Sequence, residues 1–414
     1  MLINKQEDEL IAGYRMYRHG LNRFLWPPSM VIRQLASIVF FSNLVGWKKF
    51  GGWLKKHSIK SLPVAAGAIG MGCIGFPNHP VYEITERCNL RCVHCHTNGG
   101  GDGRDELSTR EAKDLIDGIA EIPEFRMIVF SGGEPLIRED FFDLLHYSKS
   151  KGLYNIIASN GTLIDDNIAK ELKKAGVTGV AISLDSTEPK IHNKIRRNSK
   201  AFELAMRGIE AVKKAGMLLQ LNATVMKYNF EDLRNLVQFA DDLKSSILLM
   251  YQLVPVGRGC AIKDATLDFD KNKLLVKYIS QLQKEVSMII ETVAGPYHWP
   301  YLMEKANKNN KLYIKLAEKI FHGCTAGRGL VYIKPNGDVW PCPFMDLKAG
   351  NVREKPLQII WRTSKIFKDL RKRHDLLKGK CSDCEYNVLC GGCRDRALVS
   401  SGDYMGGDEY CFLR

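Results

Sequence analysis

Six apolar, β-branched runs follow one another from residue 79, each separated from the next by room for a helix. They are VYEI (81–84), RMIVF (126–130), YNIIA (154–158), VTGVAISL (177–184), LLQLNATV (218–225) and ILLMYQLV (247–254). No other feature limits the fold as much, because strands joined by helical crossovers must lie parallel. The helical segments carry their own boundaries. Ser108 and Glu111 form a capping box before an apolar-periodic stretch, and ELKKAG and AVKKAG end in lysines and a glycine, Gly176 and Gly216. The pattern predicts parallel βαβ units in an open sheet or a barrel, with the working residues at the carboxyl ends of the strands.

The flanks read differently. Residues 260–320 are mainly helical by pattern, with Cys260 buried, and from Cys324 the chain turns to short strands and cysteines. VYIKPNGDVWPC predicts a hairpin turning at Asn336-Gly337. Near the start, the apolar run Leu35 to Trp47 sits among Arg33, Lys48, Lys49, Lys55 and Lys56. It is shorter than the ~20 residues that span a bilayer. With Trp47 and Trp53 it suits a helix lying among lipid headgroups, or equally a helix capping the main domain or a dimer interface. VAAGAIGMGCIGF (64–76) reads as a buried irregular linker in which Cys73 is structural.

Composition excludes several classes. A chain of 414 residues with 45% hydrophobic and 26% charged residues has ample material for a folded core. Its 12 cysteines are too sparse for a small secreted disulfide scaffold, and most cluster at spacings that suit metals. The first apolar run starts late and lacks a small-residue cleavage site, so a reducing cytoplasmic setting is expected, with peripheral membrane contact through residues 1–60 as an addition. The net charge of +14 fits an acidic partner or a solvated basic surface. Without a helix-turn-helix, RNP or zinc-finger signature, no nucleic acid partner is expected.

Cys88, Cys92 and Cys95 stand just beyond the first strand in TERCNLRCVHCH. Three thiolates fall one short of a structural zinc site, which His94 or His96 could complete. An iron–sulfur cluster held by three thiolates instead leaves one iron open to a ligand. C-x₃-C-x₂-C after a first β-strand resembles the signature of the radical S-adenosylmethionine (SAM) enzymes, with His94 in place of the usual aromatic residue. The resemblance implies a [4Fe–4S] cluster on the three cysteines whose open iron chelates SAM, and reductive cleavage to a 5′-deoxyadenosyl radical that takes hydrogen from a substrate. By the same resemblance, Gly132, Gly133, Glu134 and Pro135 of FSGGEPL match the motif that meets the SAM amino group. Ser159 and Asn160 of ASNGT, and Ser183 and Asp185 of ISLDS, fall where further ligand contacts lie. Arg196 of IHNKIR is selected as the partner of the SAM carboxylate, with Arg197 competing. Arg258, Asn222 and Thr224 are weaker assignments.

The C-terminal thiols, read alone, would make one or two zinc knuckles. Cys381-x₂-Cys384-x₅-Cys390-x₂-Cys393, with Cys411 behind and Cys324 and Cys342 ahead, resembles the SPASM extension of some radical SAM enzymes. That implies two auxiliary [4Fe–4S] clusters, one on Cys381, Cys384, Cys390 and Cys411, the other on Cys324, Cys342 and Cys393 with its fourth ligand unassigned.

The expected architecture is therefore α/β: an N-terminal helical segment (1–78), a partial (β/α)6 barrel of the radical SAM type (79–300) and a small α+β cysteine-rich domain (301–414). The expected function is radical SAM modification of a peptide, protein, lipid or membrane-held molecule, supplied with electrons by a flavodoxin- or ferredoxin-type donor. Tetrapyrrole or cofactor biosynthesis is the alternative, and a non-catalytic iron–sulfur electron carrier the rival of another class. No acid or base is assigned; Asp403, Tyr404 and Asp408 of the tail read as exposed loop residues.

Overall fold

The computed structural model describes residues 79–125, 127–307, 310–320 and 323–413. The N-terminal segment, with the expected headgroup helix and Cys73, lies outside the described residues. Within them no helix is long and apolar enough to cross a membrane.

One ten-stranded sheet organises the chain. Its strands are β1 (His79–Glu83), β2 (Met127–Ser131), β3 (Tyr154–Ser159), β4 (Val177–Ser183), β5 (Leu218–Val225), β6 (Ile247–Gln252), β7 (Ile289–Val293), β8 (Leu330–Ile333), β9 (Asp338–Trp340) and β10 (Gly350–Asn351). The spatial order is β10-β9-β8-β1-β2-β3-β4-β5-β6-β7, parallel from β8 to β7 and antiparallel only at the β8-β9-β10 edge. Strands β1 to β7 succeed one another without a reversal, which is winding in one sense, as in a barrel, and not the switch-point order of a doubly wound sheet. The six predicted strands all form. A seventh, β7, lies in the stretch expected to be helical, where SMIIETV is too short and β-branched a run to hold a helix. Strand β8, from the cysteine-rich region, pairs with β1 and so brings that region against the first strand.

Strand alternation decides what faces where. Ile128, Phe130, Ile157, Val180, Ile182, Leu219, Leu221 and Ala223 pack in the main core with helices such as Thr109–Glu121 and Ala201–Lys214. The opposite face carries small or polar residues, Ala158, Ala181, Ser183, Gln220, Asn222 and Thr224, which leave a hollow. The Ser108–Glu111 capping box forms, and Gly176 and Gly216 take φ of 89° and 67° beyond their helices. The hairpin turns at Asn336-Gly337, where Gly337 adopts φ of 85° and donates its N–H to the Lys334 carbonyl.

Candidate active site

The loop after β1 carries Cys88, Cys92 and Cys95 and is held from several sides. Gly133 and Glu134 donate their N–H groups to the carbonyls of Thr85 (2.7 Å) and Arg87 (2.9 Å). A Cβ on Gly132 would stand 2.6 Å from the Thr85 oxygen, and one on Gly133 2.3 Å from that of Arg87. The two glycines thus permit close approach of β2 to the chain's own cysteine loop. Both glycines also line the cavity, on the side where the sequence reading has them admit a ligand. Arg258 clamps the same loop, donating from Nε to the Cys92 carbonyl (2.9 Å) and from Nη1 to that of Gly99 (2.8 Å).

Glu134 is fully buried behind the cavity wall. Its carboxylate accepts from the Ser159 hydroxyl (2.8 Å) and the Asn160 N–H (2.9 Å), bridging β2 to β3, and burial pushes its pKa up to about 7. The Asn160 amide donates to Asn89 Oδ1 (2.8 Å) in the cysteine loop. These polar groups spend their hydrogen bonds on positioning the loop.

The carboxyl end of β4 supplies a buried ion pair. Asp185 accepts from Arg196 Nε at 2.7 Å and from the Thr224 N–H at 3.0 Å. Burial alone would raise Asp185, but the guanidinium holds it down at about 2. Arg196 in turn points Nη1 at Cys92 Sγ, 3.7 Å away. Arg197 caps its helix with φ of 53° and is exposed, whereas Arg196 is buried and lines the cavity described next.

One cavity of about 280 Å³ gathers most of these groups, close to the lower end of the roughly 300–1,000 Å³ typical of small-molecule sites. Cys88, Cys92, Cys95, Gly132, Gly133, Ser159, Asn160, Ser183 and Arg196 line it; Glu134, Pro135 and Asp185 stand behind the wall. Cys324, Cys342 and Cys393 line it too, so the two expected metal regions share one chamber. Sequence reasoning did not single out Gln220, Tyr251 or Tyr332 on the wall; the polar residue at every second place of LLQLNATV was the signal for Gln220. Burial lowers His94 to about 4 and His96 to about 3, so both rings are neutral near pH 7.

Cys384, Cys390 and Cys411 share an apolar cluster; burial raises the Cys390 and Cys411 thiols, Cys411 adds to the rise of Cys390, and Cys381 acts on both. Burial raises the Cys342 and Cys393 thiols, and the nearby Cys324 adds to both. Arg373, fully buried, donates to the carbonyls of Cys324 (2.7 Å) and Cys390 (3.3 Å) and thus spans both groups. Arg394 reaches Cys381 Sγ at 3.7 Å. Nε of Arg373, and Nε and Nη2 of Arg396, are buried without a hydrogen-bond partner. Buried guanidinium groups left this way, among thiols, fit an anionic group such as a thiolate-ligated cluster. Among the described residues no three of His, Cys, Asp or Glu are placed to hold a single metal ion, as the zinc alternative requires; a cubane spreads its thiolates wider. Two expectations are corrected. Cys260 is exposed, its thiol turned to the Pro255 carbonyl. Asp408 is fully buried, accepting from the N–H groups of Cys393 (2.8 Å) and Tyr410 (3.1 Å), because the tail folds back over the thiols.

A model of the radical SAM superfamily matches residues 82–240, and one of an iron–sulfur cluster-binding domain matches 324–385. Over 343 residues the chain is 34% identical to the AdoMet-dependent heme synthase of Methanosarcina barkeri, covering 82% of this chain and 97% of that protein. The chain belongs to the radical SAM superfamily. It is an enzyme of that superfamily, using SAM and a [4Fe–4S] cluster, with a SPASM-type iron–sulfur domain at its C-terminal end. It is also similar to the Fe-coproporphyrin III synthase of M. barkeri, at 32% identity over 80% of this chain and 87% of that one. In structure this radical SAM chain resembles Streptococcus suis SuiB bound to precursor peptide SuiA, with a TM-score of 0.65 at 20% identity, covering 86% of this chain and 80% of SuiB. At that identity the likeness concerns the fold.

Proposed function

We propose that this enzyme acts on a tetrapyrrole bearing carboxylate side chains, in the manner of the heme-forming relatives. The observation that carries the reading is the match along nearly the whole length of the AdoMet-dependent heme synthase. It favours the tetrapyrrole alternative over the peptide, protein or lipid substrate expected from sequence.

In this reading Cys88, Cys92 and Cys95 hold the SAM-binding cluster, Cys381, Cys384, Cys390 and Cys411 hold one auxiliary cluster, and Cys324, Cys342 and Cys393 hold the other. When bound, SAM and its cluster supply abstraction of a hydrogen atom from the substrate. The protein's part is placement. Arg196, set by Asp185, offers a guanidinium to the SAM carboxylate. Arg258 and the Gly132-Gly133 contact fix the cysteine loop. Ser183, Asn222 and Thr224 give the hollow a polar floor, while apolar Val129, Leu253 and Phe344 exclude water. A flavodoxin- or ferredoxin-type donor supplies the electron.

The test is anaerobic incubation of the reconstituted enzyme with SAM, a low-potential reductant and Fe-coproporphyrin III. The expected result is 5′-deoxyadenosine together with a tetrapyrrole lighter by the mass of formic acid per altered propionate. Deoxyadenosine with an unchanged tetrapyrrole would refute the substrate and leave the radical chemistry standing.

A further inference from the structure

The carboxyl end of β6 carries a buried donor that the SAM site does not use. Gln252 lines the chamber, is 1% exposed, and its amide nitrogen Nε2 has no hydrogen-bond partner. The orientation of that amide follows from a chain of donors. Arg396, whose guanidinium can only donate, gives a hydrogen from Nη1 to the Tyr297 hydroxyl at 3.0 Å. The hydroxyl keeps its own hydrogen to pass on, and its nearest acceptor is Gln252 Oε1 at 2.7 Å, ahead of Asn272 Oδ1 at 3.4 Å. With the oxygen turned to Tyr297, both N–H bonds of Nε2 are left over. A Cβ on Gly295 would stand 2.4 Å from Nε2. The amide therefore rests beside glycine backbone whose neighbours, Ala294 and Pro296, both line the chamber. Burying an amide in this condition is costly unless a ligand accepts from it.

Position separates Gln252 from the groups read as binding SAM. Those stand on the loop after β1, at the ends of β2 to β4 and, for Arg196, in the helix Pro189–Arg196. Gln252 stands where β6 meets the turn after β7. Beside it Tyr251 and Phe344 set two rings edge to face, with centroids 6.4 Å apart, an apolar wall suited to a flat ligand. Among the described residues the two arginines of the chamber wall are engaged, Arg196 with Asp185 and Arg258 with the carbonyls of Cys92 and Gly99. The amide is the donor left for a substrate.

We propose that Gln252 is a specificity-determining residue that donates from Nε2 to a carboxylate of the substrate, with Tyr297 and Arg396 positioning its amide. The assignment rests on the tetrapyrrole reading, whose substrate carries such carboxylates.

The experiment titrates the full chain, reconstituted anaerobically, with Fe-coproporphyrin III at pH 8.5, following the tetrapyrrole's absorbance, and with SAM by isothermal titration. Gln252→Glu keeps an oxygen to accept from Tyr297 but sets a second, non-donating oxygen against the carboxylate. It should raise the Kd for Fe-coproporphyrin III about 10-fold or more, the worth of one hydrogen bond to a charged group, and leave the Kd for SAM within about twofold. Gln252→Met, uncharged and without a donor, should show the same split, and it decides alone if Gln252→Glu loses its helical circular dichroism. Unchanged tetrapyrrole affinity would overturn the proposal. So would equal losses for tetrapyrrole and SAM, which mark damage to the chamber and not a missing contact. Tyr297→Phe, which frees the amide to turn over, should weaken tetrapyrrole binding by a smaller factor with SAM affinity kept; no change there would overturn the positioning role. If the parent binds SAM but no Fe-coproporphyrin III, the tetrapyrrole reading itself fails and takes the assignment with it.

Discussion

Replacing Asp185 with Asn tests whether the Asp185–Arg196 pair is the hinge of the SAM site. The side chain keeps its size and can still accept from Thr224, but Arg196, only 7% exposed, loses its counter-charge. Two routes give a magnitude. Lowering the carboxyl from 3.8 to about 2 corresponds to about 2 kcal/mol at 1.36 kcal/mol per pH unit. Its sign is that of a depressed acid: the stabilisation is present above about pH 4 and lost as the pH falls through about 2. Leaving the buried arginine unpaired is worse, about 3–5 kcal/mol. The larger figure applies, because the substitution strands a charge and does not merely neutralise one. Spread over the 414 residues of the chain at about 2.1 cal/mol/K each, it lowers the melting temperature by about 3–6 °C. Differential scanning calorimetry at pH 7 measures this, and isothermal titration with SAM should show weakened binding alongside. Asp185→Asn with Arg196→Met should regain most of the stability but not the SAM affinity. A melting shift below about 1 °C with unchanged SAM affinity would refute the argument.

Two further predictions concern the wall beside the cysteine loop. Gly133→Ala places a methyl 2.3 Å from the Arg87 carbonyl; overpacking of this kind costs about 1–3 kcal/mol, and reconstituted iron should fall relative to Gly118→Ala, where the nearest atoms are 3.7 Å away. Glu134, raised from 4.5 to about 7, contributes stability present below about pH 4.5 and lost as the pH rises through about 7, about 3 kcal/mol in all. Denaturant titrations from pH 4.5 to 8 should show that slope, and Glu134→Gln should flatten it; an unchanged slope in the variant would sink the assignment.

The radical SAM membership was legible in short stretches of sequence, because its chemistry is written at strand ends a few residues long. Thiols at 88, 92 and 95, glycines at 132 and 133, and the order of the later cysteines all survive without knowledge of distance. The six strands were legible for a similar reason, since hydrophobic periodicity is a local property. β7 escaped because IIETV is short enough to pass for part of a helix. What the residues do was not local. Gly132 and Gly133 serve the chain's own loop, Glu134 and Asp185 work from behind the wall, and Arg196 is separated from Arg197 only by which side of a helix end meets Cys92. The sharing of one chamber by Cys95 and Cys342, far apart in sequence, follows from β8 pairing with β1. Tertiary structure alone decides such matters, because burial and charge pairing depend on distances that spacing along a chain does not carry.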